Sequence, residues 1–588
     1  VTQKADEALR GHRARWIIQE PIPGSLRDRL GGLSVMAAHL LWCRGYRTAE
    51  EIEAFFTRGA VMHDPFLLPA MDAAVDRIGA AAAAGEQVAV YGDFDCDGLT
   101  ATAVLAEALR SLGCAVQVVI PTREEGHGLH TERLAAMADV GVELVVTADC
   151  GVTAMEEVQV ARGMGMDIVI TDHHEPRLDG SLPDCPTVAP TRLDSMYPCR
   201  FLSGVGVAFK VAQALGRHHP DKVDVDGLLD LVALGTVADV VPLRDENRAL
   251  VVRGLERLKR TPRIGLRALF RAAAVDARRI DPTAIGFYLA PRINAANRVA
   301  TPQTAYDLIA ATDEGIASGL ASELHRLNME RQALLTRTFE QVVAEMAEPG
   351  AVVAAVRDGS RPPVLIVLGS WPAGISGLLA NRLVEAYGLP AFVGAEGENG
   401  IVSVSARGTK AAAIDLLIES CEASQPGGLF LGYGGHARAG GFRIQSEQLD
   451  LVRSLLETEA RRQVSADEIG SFLTIDAEVR LSQMTRDAAR TVAALGPFGV
   501  EFDAPVFLSR NVELRDLRPV GDGSHARLTV QQGATRITGV FFNAPPELLA
   551  LRPGTRLDLA FNLQLDEWEG LQRVQLRVCD WRDVSPEP

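Results

Sequence analysis

Cysteine is sparse here and unpatterned: the eight cysteines (43, 96, 114, 150, 185, 199, 421 and 579) form no CxxC. That argues against a zinc ribbon and a disulfide framework, and it fits a reducing compartment. No run of about 18 apolar residues occurs, so no stretch reads as a membrane span. The opening VTQKADEALRGHRARW is charged rather than signal-like, and the expectation is a cytoplasmic protein. Basic charge is in deficit: Lys+Arg 59 against Asp+Glu 76 leaves a net −17. A general nucleic-acid coat would not carry that balance, so any nucleic acid must bind in a local basic groove, with the acidic excess placed elsewhere or used on metals. Long internal repeats and low-complexity tracts are also missing.

What is present is an ordinary globular composition, 47% hydrophobic and 23% charged over 588 residues, enough for about four domains at roughly 150 residues each. The stretch Val88 to Thr100, VAVYGDFDCDGLT, organises the rest. Its apolar start reads as a buried strand ending at Gly92, with Asp93, Asp95 and Asp97 following at alternate positions and a helix beginning after Gly98. Carboxylates packed so closely repel one another, and a fold tolerates them chiefly when a cation or a shared proton offsets the charge. Their place after a strand matters too, because open α/β sheets bind ligands outside the carboxyl ends of their strands.

Five segments follow from the pattern. Residues 1–85 read as a helical leader without chemistry. Residues 86–245 alternate strand and helix, with strands at Val116 to Ile120, Glu143 to Thr147 and Asp167 to Thr171 that are almost continuously Val, Ile and Leu, which implies a doubly wound parallel sheet. Two of them run into Asp149 and into Asp172, His173 and His174, and Asp239 follows a later helix. Residues 246–350 are mostly helical and include the long stretch Ser318 to Met346, read as a rigid spacer rather than a DNA reader. The loop around Pro349 and Gly350 marks a boundary. A second α/β unit occupies 351–465, and 466–588 breaks into short strands that fit a five-strand barrel of the OB type, with an SH3-like barrel as the alternative.

Asp93, Asp95, Asp149, His173 and Asp239 form an oxygen and nitrogen set without thiolates. Such a set suits Mn²⁺ or Mg²⁺ better than Zn²⁺, and five ligands suffice for two ions if one aspartate bridges. Phosphoester hydrolysis by in-line attack of an activated water is the chemistry inferred. Cys96 and Cys150 adjoin these positions, and alternate side chains point away from the ligand face, so burial is expected for both.

GDFDCDG, TADCG, TDHH and GTVADVVPL resemble the successive motifs of the DHH phosphoesterases. PRINAANRV (291–299), SWPAGISGLLANRL (370–383), SVSARG (403–408) and GGHARAGGF (434–442) are similar to the RecJ branch of that family, the 5′-to-3′ single-strand DNA exonucleases, and LGPFGVEFDAPVF (495–507) matches more weakly. The resemblance implies metal ligation by Asp93, Asp95, Asp149, His173 and Asp239 with Asp97 nearby, and a catalytic contribution from His174 as a supporting or substrate-contacting group. It implies that His436, in a glycine-rich loop with Gly434 and Gly435, contacts the scissile phosphate as an associated domain closes over the site. It implies that Arg123, Ser405 and Arg407 hold a 5′ phosphate, and that Arg292, Asn294 and Arg298 hold the strand. Taken alone, Arg123, Arg298 and Arg407 read more readily as surface ion-pair partners, and the motif match turns the reading to phosphate contacts.

Two positions depart from the family pattern. Ala89 stands where many DHH relatives have a His four residues before the first motif aspartate, which leaves one metal position to Asp97 or water. Asn297 stands where a glycine is usual, and the expectation is a loop with positive φ, which Asn tolerates. The function implied is a metal-dependent exonuclease, with Mn²⁺ or Mg²⁺ as its ions, that removes 5′ mononucleotides from single-stranded DNA in repair and recombination. Its implied partners are single-strand-binding protein and a helicase, and a monomer is expected. The rival readings are a DHH phosphoesterase on short RNA oligomers or cyclic dinucleotides, and a non-catalytic DNA-binding scaffold.

Overall fold

The computed structural model describes residues 14–30, 33–57, 61–177, 179–346, 362–397, 400–409, 412–425, 427–463, 472–521, 523–568 and 571–584. The expected boundaries at 350/351 and 465/466 lie outside the described residues. The chain divides into two compact units, Ile22–Met329 with Arg490–Ala504, and Val1–Pro21 with Glu330–Ala489 and Pro505–Pro588. Strand β1 (Arg15–Ile18) belongs to the second of these.

In the first unit, helices α1 (Val35–Cys43), α2 (Ala49–Thr57) and α3 (Met71–Ala84) precede a sheet of β2 (Gln87–Gly92), β3 (Ala115–Val119), β4 (Leu144–Ala148), β5 (Asp167–Thr171) and β6 (Thr187–Val188). All pairings are parallel and the order is β3-β2-β4-β5-β6. Strand order reverses between β2 and β4, so the crevice where ligands bind in such sheets opens beyond Gly92 and Ala148, which are paired. Burial explains the unbroken apolar runs: Val88, Val90, Leu144 and Val146 enter the core on one face, and Ala89, Tyr91 and Val145 enter a second cluster on the other. The first cluster is filled by α4 (Cys96–Leu112), α7 (Gly204–His218), α8 (Leu229–Ala238) and α9 (Asp245–Leu258), while α5 (Thr131–Asp139) and α6 (Met155–Gly163) cover the other face.

Beyond α9 lie α10 (Ile264–Ala272), α11 (Ala290–Val299), α12 (Gln303–Ile309) and the 33-residue α13 (Glu314–Met346), about 50 Å long at 1.5 Å per residue. Residues 490–504 join this unit rather than the C-terminal barrel expected from the pattern. Several contacts hold them there: the Arg248 guanidinium donates to the carbonyls of Leu495, Gly496 and Pro497 and lies over the rings of Phe55 and Phe502, Arg44 donates to Asp503 O, and Leu243 N donates to Val500 O.

The second unit holds a sheet of order β10-β11-β9-β8-β7, built from β7 (Leu365–Gly369), β8 (Ala391–Glu396), β9 (Ile401–Arg407), β10 (Gly432–His436) and β11 (Ala439–Gln445). Helices α14 (Ala373–Tyr387), α15 (Ile414–Ala423) and α16 (Leu449–Gln463) accompany it. β12 (Phe472–Ile475) pairs in parallel with β1, so the leader is not wholly helical. Tryptophan explains the anchoring of that strand, since Trp16 Nε1 donates to Asp580 Oδ2 at 2.7 Å.

The short β13 (Ala477–Glu478) leads into β14 (Phe507–Val520), β15 (His525–Gln532), β16 (Thr535–Phe541), β17 (Arg556–Trp568) and β18 (Leu571–Asp583). These five close on themselves in the order β14-β15-β16-β18-β17, with β14 pairing β17. The β16–β18 pair alone among these five strands is parallel, which is the connectivity of an OB barrel. β14 serves two neighbours because register shifts at Ser509/Val512 and Leu514/Asp516 bend it between them.

Candidate metal centre and active site

The three aspartates of DFDCD occupy three different local structures. Asp93 follows β2, Asp95 is the N-cap of α4, and Asp97 lies in its first turn. The helix therefore starts at Cys96, earlier than the pattern suggested, because Asp95 Oδ1 accepts from the N–H groups of Asp97 and Gly98 at 2.9 and 3.1 Å. Gly98 is required inside it, since a Cβ there would lie 2.6 Å from Asp93 Cβ. Asp97 takes the backbone N–H groups of Gly204 and Val205 at 2.6 and 2.9 Å, the start of α7. Both its oxygens are thus engaged, and only their remaining lone pairs face an ion.

Asp149 follows β4 with φ +65°, a left-handed conformation that an aspartate tolerates at a cost. Gly204 packs on it so closely that a Cβ would sit 2.2 Å from Oδ1. Asp172 closes the set from behind: Oδ1 accepts from the backbone of His173 and His174 and from His174 Nδ1 at 2.8 Å, and Oδ2 from Val152 N. Asp239 caps the end of α8.

These groups converge. His173 Nε2 is 3.2 Å from Asp149 Oδ1 and 3.6 Å from Asp239 Oδ2. Ligand atoms of Asp149, His173 and His174, of Asp97, His173 and Asp239, and of Asp93, Asp95 and Asp149 lie within 4.8 Å of one another in each set. Asp93 Oδ1, Asp149 Oδ1 and Asp239 Oδ2 are buried and accept no hydrogen bond. Buried carboxylate oxygens left unpaired are costly unless a cation answers them, so the donor set fits divalent ions with a preference for oxygen.

The electrostatics agree. Burial, then repulsion from neighbouring aspartates, raises Asp95, Asp149 and Asp239, and carries Asp97 to about 7. Burial and the adjacent His174 press His173 down to about 3, leaving its imidazole neutral as a ligand must be. Burial would lower His174 as well, but Asp172 outweighs it and raises it. Cys96 and Cys150 are buried, as expected from their alternation.

Sequence reasoning missed His127. It lies in the loop after β3, the strand beside β2, and its Nδ1 stands 3.3 Å from Asp93 Oδ1 while its ring lies 4.6 Å from that of His174. Burial opposes its charge, yet Asp93 raises it to about 9. The available signal was its position four residues after Arg123 in a loop leaving the ligand-bearing edge of the sheet.

Arg123 borders the centre, stacked 4.8 Å from the Phe94 ring centroid with Nε donating to Asn297 Oδ1 at 3.4 Å. Arg292 is buried and donates to Tyr288 O and His325 Nδ1, and Asn294 Oδ1 accepts from Cys96 N at 2.8 Å, so both tie the scaffold. Asn297 is in no loop: it belongs to α11, and its Nδ2 donates to Phe94 O at 2.9 Å, so a positive φ was not what this position required. Arg298 is in the last turn of the same helix.

In the other unit, Ser405 and Arg407 stand on β9, with Arg407 Nη1 on Ala406 O and Nη2 close against Gly377 of α14. Gly434, Gly435 and His436 form an exposed edge strand of a hairpin, β10 on β11, where a glycine-rich loop was expected. Glycine is needed at 435, where φ is +148° and a Cβ would meet Gly440 Cα at 2.3 Å.

Residues 87–236 match the DHH family N-terminal domain, 362–462 the DHHA1 domain, and 475–580 the RecJ OB domain. The single-stranded-DNA-specific exonuclease RecJ of Bacillus subtilis is 32% identical over 97% of this chain and 71% of its own length. The chain belongs to the RecJ family. RecJ of Escherichia coli is 30% identical, covering 91% of this chain and 93% of its own. The crystal structure of RecJ from Thermus thermophilus in complex with Mn²⁺ superposes with a TM-score of 0.80 at 27% identity, over 98% of this chain and 80% of that one. A RecJ structure from the same organism is in complex with Mg²⁺.

Proposed function

We infer that this protein is a metal-dependent exonuclease acting on single-stranded DNA. The observation that carries the reading is the convergence of three buried carboxylate oxygens that accept no hydrogen bond, and the His173 imidazole facing two of them, at the strand-reversal crevice of a RecJ-family sheet. Asp93, Asp95, Asp149, His173 and Asp239 hold the ions, with Asp97 supporting. Two divalent ions, Mn²⁺ or Mg²⁺, would supply charge neutralisation of the phosphate and a more acidic attacking water.

The chain's own groups do the rest. Asp172 fixes His174 through Nδ1, which leaves Nε2 to face the phosphate. Arg123 and Arg298 of the metal-bearing unit, and Ser405 and Arg407 of the other unit, are each suited to phosphate oxygens of the strand, because the guanidinium fork matches them. His436, with the side-chain-free backbone of Gly434 and Gly435, presents donors to phosphate oxygens from an open strand edge. Degradation runs 5′ to 3′ with release of 5′ mononucleotides, the barrel extends the binding track by stacking, and the protein works as a cytoplasmic monomer with single-strand-binding protein and a helicase. The short-RNA and scaffold readings are disfavoured: the first by the barrel, and the second by a complete ligand set.

One single-stranded oligomer, labelled separately at either end and incubated with Mn²⁺ or Mg²⁺ beside Asp149→Ala, tests this. Immediate mononucleotide release from the 5′ label, absent in the variant, is expected. First release from the 3′ label would overturn the 5′ phosphate assignment, and bound but uncut DNA would favour the scaffold.

A further inference from the structure

Three imidazoles border the carboxylate crevice, and they meet their carboxylates in two ways. His174 makes an ordinary hydrogen bond, Nδ1 to Asp172 Oδ1 at 2.8 Å, with an oxygen that also takes two backbone N–H groups. His173 does not: its Nε2 faces Asp149 Oδ1 at 3.2 Å and Asp239 Oδ2 at 3.6 Å, and neither oxygen accepts a hydrogen bond. His127 resembles His173. Its Nδ1 faces Asp93 Oδ1 at 3.3 Å, and that oxygen too is buried without a hydrogen bond. Donors that sit about 2.0–2.2 Å from one divalent ion stand about 3 Å apart around it, so a facing N and O at this separation have the spacing of neighbouring ligands.

We propose that His127 is a nitrogen ligand of the ion held by Asp93 and Asp95. The inference rests on the metal-dependent reading above and adds to it a ligand from a different loop, whose ring gives up to solvent, when the ion binds, the proton that Asp93 otherwise holds on it. That loop is held in place: Gly126 and Gly128, with φ +99° and +103°, flank His127, Tyr91 of β2 donates its hydroxyl to Gly128 O at 3.1 Å, and Leu129 is buried. Arg133 grips Glu125 at 2.7 and 3.0 Å, and Glu125 takes the Thr122 N–H at 2.6 Å. Ala89, where many DHH relatives have a His, is fully buried in the sheet and offers nothing to an ion. His127 supplies the imidazole that position lacks, and Asp97, committed to α7, need not.

The test is calorimetric titration of the full chain with Mn²⁺, comparing the unaltered protein with His127→Ala. The side chain of His127 is 41% exposed, so its removal leaves the core untouched. Two ions are expected to bind the unaltered protein, with the affinity of one falling at least about tenfold in the variant while the other is unchanged. Electron spin-echo of bound Mn²⁺ in a His173→Gln background gives a second readout: ¹⁴N modulation should persist there and vanish when His127→Ala is added. Unchanged affinities for both ions, or ¹⁴N modulation that survives the double change, would overturn the proposal and leave His127 as an ion-pair partner only. An unaltered protein that took up no Mn²⁺ would instead remove the metal-dependent reading itself.

Discussion

The crevice at the end of β2 and β4 and the edge strand β10 both carry chemistry-bearing histidines, yet they are built in opposite ways. In the crevice Asp95 is held by the turn it caps, Asp97 by α7, His174 by Asp172, and Asp149 by Gly204 pressed against it. At β10 the strand is exposed along its length, and glycine fills most of it, at 432, 434 and 435. Ions demand fixed donors at fixed distances, whereas a flexible polymer that must move on after each cut is better met by an open backbone edge. The proposed function divides recognition of metal from recognition of a moving strand between these two regions.

Asp149→Ala should give the largest effect. It removes a donor shared by two of the ligand sets, and turnover should fall about 10³-fold or more, several kcal/mol of barrier, while single-stranded DNA still binds in a gel-shift assay. Loss of DNA binding in step with activity would break the division. His436→Ala probes the other side and should lower kcat about 10²-fold, the usual cost of one donor to a developing phosphate charge, with Mn²⁺ uptake unchanged. Arg407→Ala should raise KM about tenfold for 5′-phosphorylated oligomers and little for those ending in a hydroxyl; an equal change for both would remove the terminal-phosphate role.

A smaller effect concerns the crevice without ions. Asp95, Asp97, Asp149 and Asp239 are all raised, Asp97 to about 7. A carboxyl whose folded value exceeds its unfolded value near 4 holds its proton more tightly when folded. Its stabilisation is therefore complete below about pH 4 and is lost as pH rises through the folded value. Metal-free protein should melt lower at pH 8 than at pH 6, and Mn²⁺ should raise Tm more at pH 8. Equal increments at the two pH values would contradict the sign. Smallest of all, Asn297→Ala should cost about 1 kcal/mol in denaturant unfolding through the lost bond to Phe94 O, with Mn²⁺ affinity only modestly reduced.

The same contrast explains what the sequence disclosed. Asp93, Asp149 and His173 were legible because buried parallel strands are apolar runs, and the residue that ends each run marks the carboxyl edge of the sheet. The barrel was legible in strand count and length, which favoured the OB type, and the parallel β16–β18 pair, a property of closure, bears that out. Asn297 was misplaced because its helix is set by ties to Phe94 and Cys96 some 200 residues away in sequence. Residues 490–504 pack with the metal-bearing unit through partners distant in sequence, Arg44 and Arg248 among them, which no local pattern discloses. His127 escaped because a loop residue carries no period, and its meaning comes from the neighbouring strand.

The pairing of β1 with β12 has a bearing on how the chain is made. Residues 22–329 of the metal-bearing unit are synthesised as one block, but Arg15 must find Phe472. At 5–20 residues per second that partner emerges from the ribosome about 20–90 s later. Through that interval the first strand has an open edge and Trp16 has no Asp580 to receive its N–H. A nascent chain therefore holds all of its candidate ion-binding residues well before the second unit can finish, and premature termination yields the former without the latter.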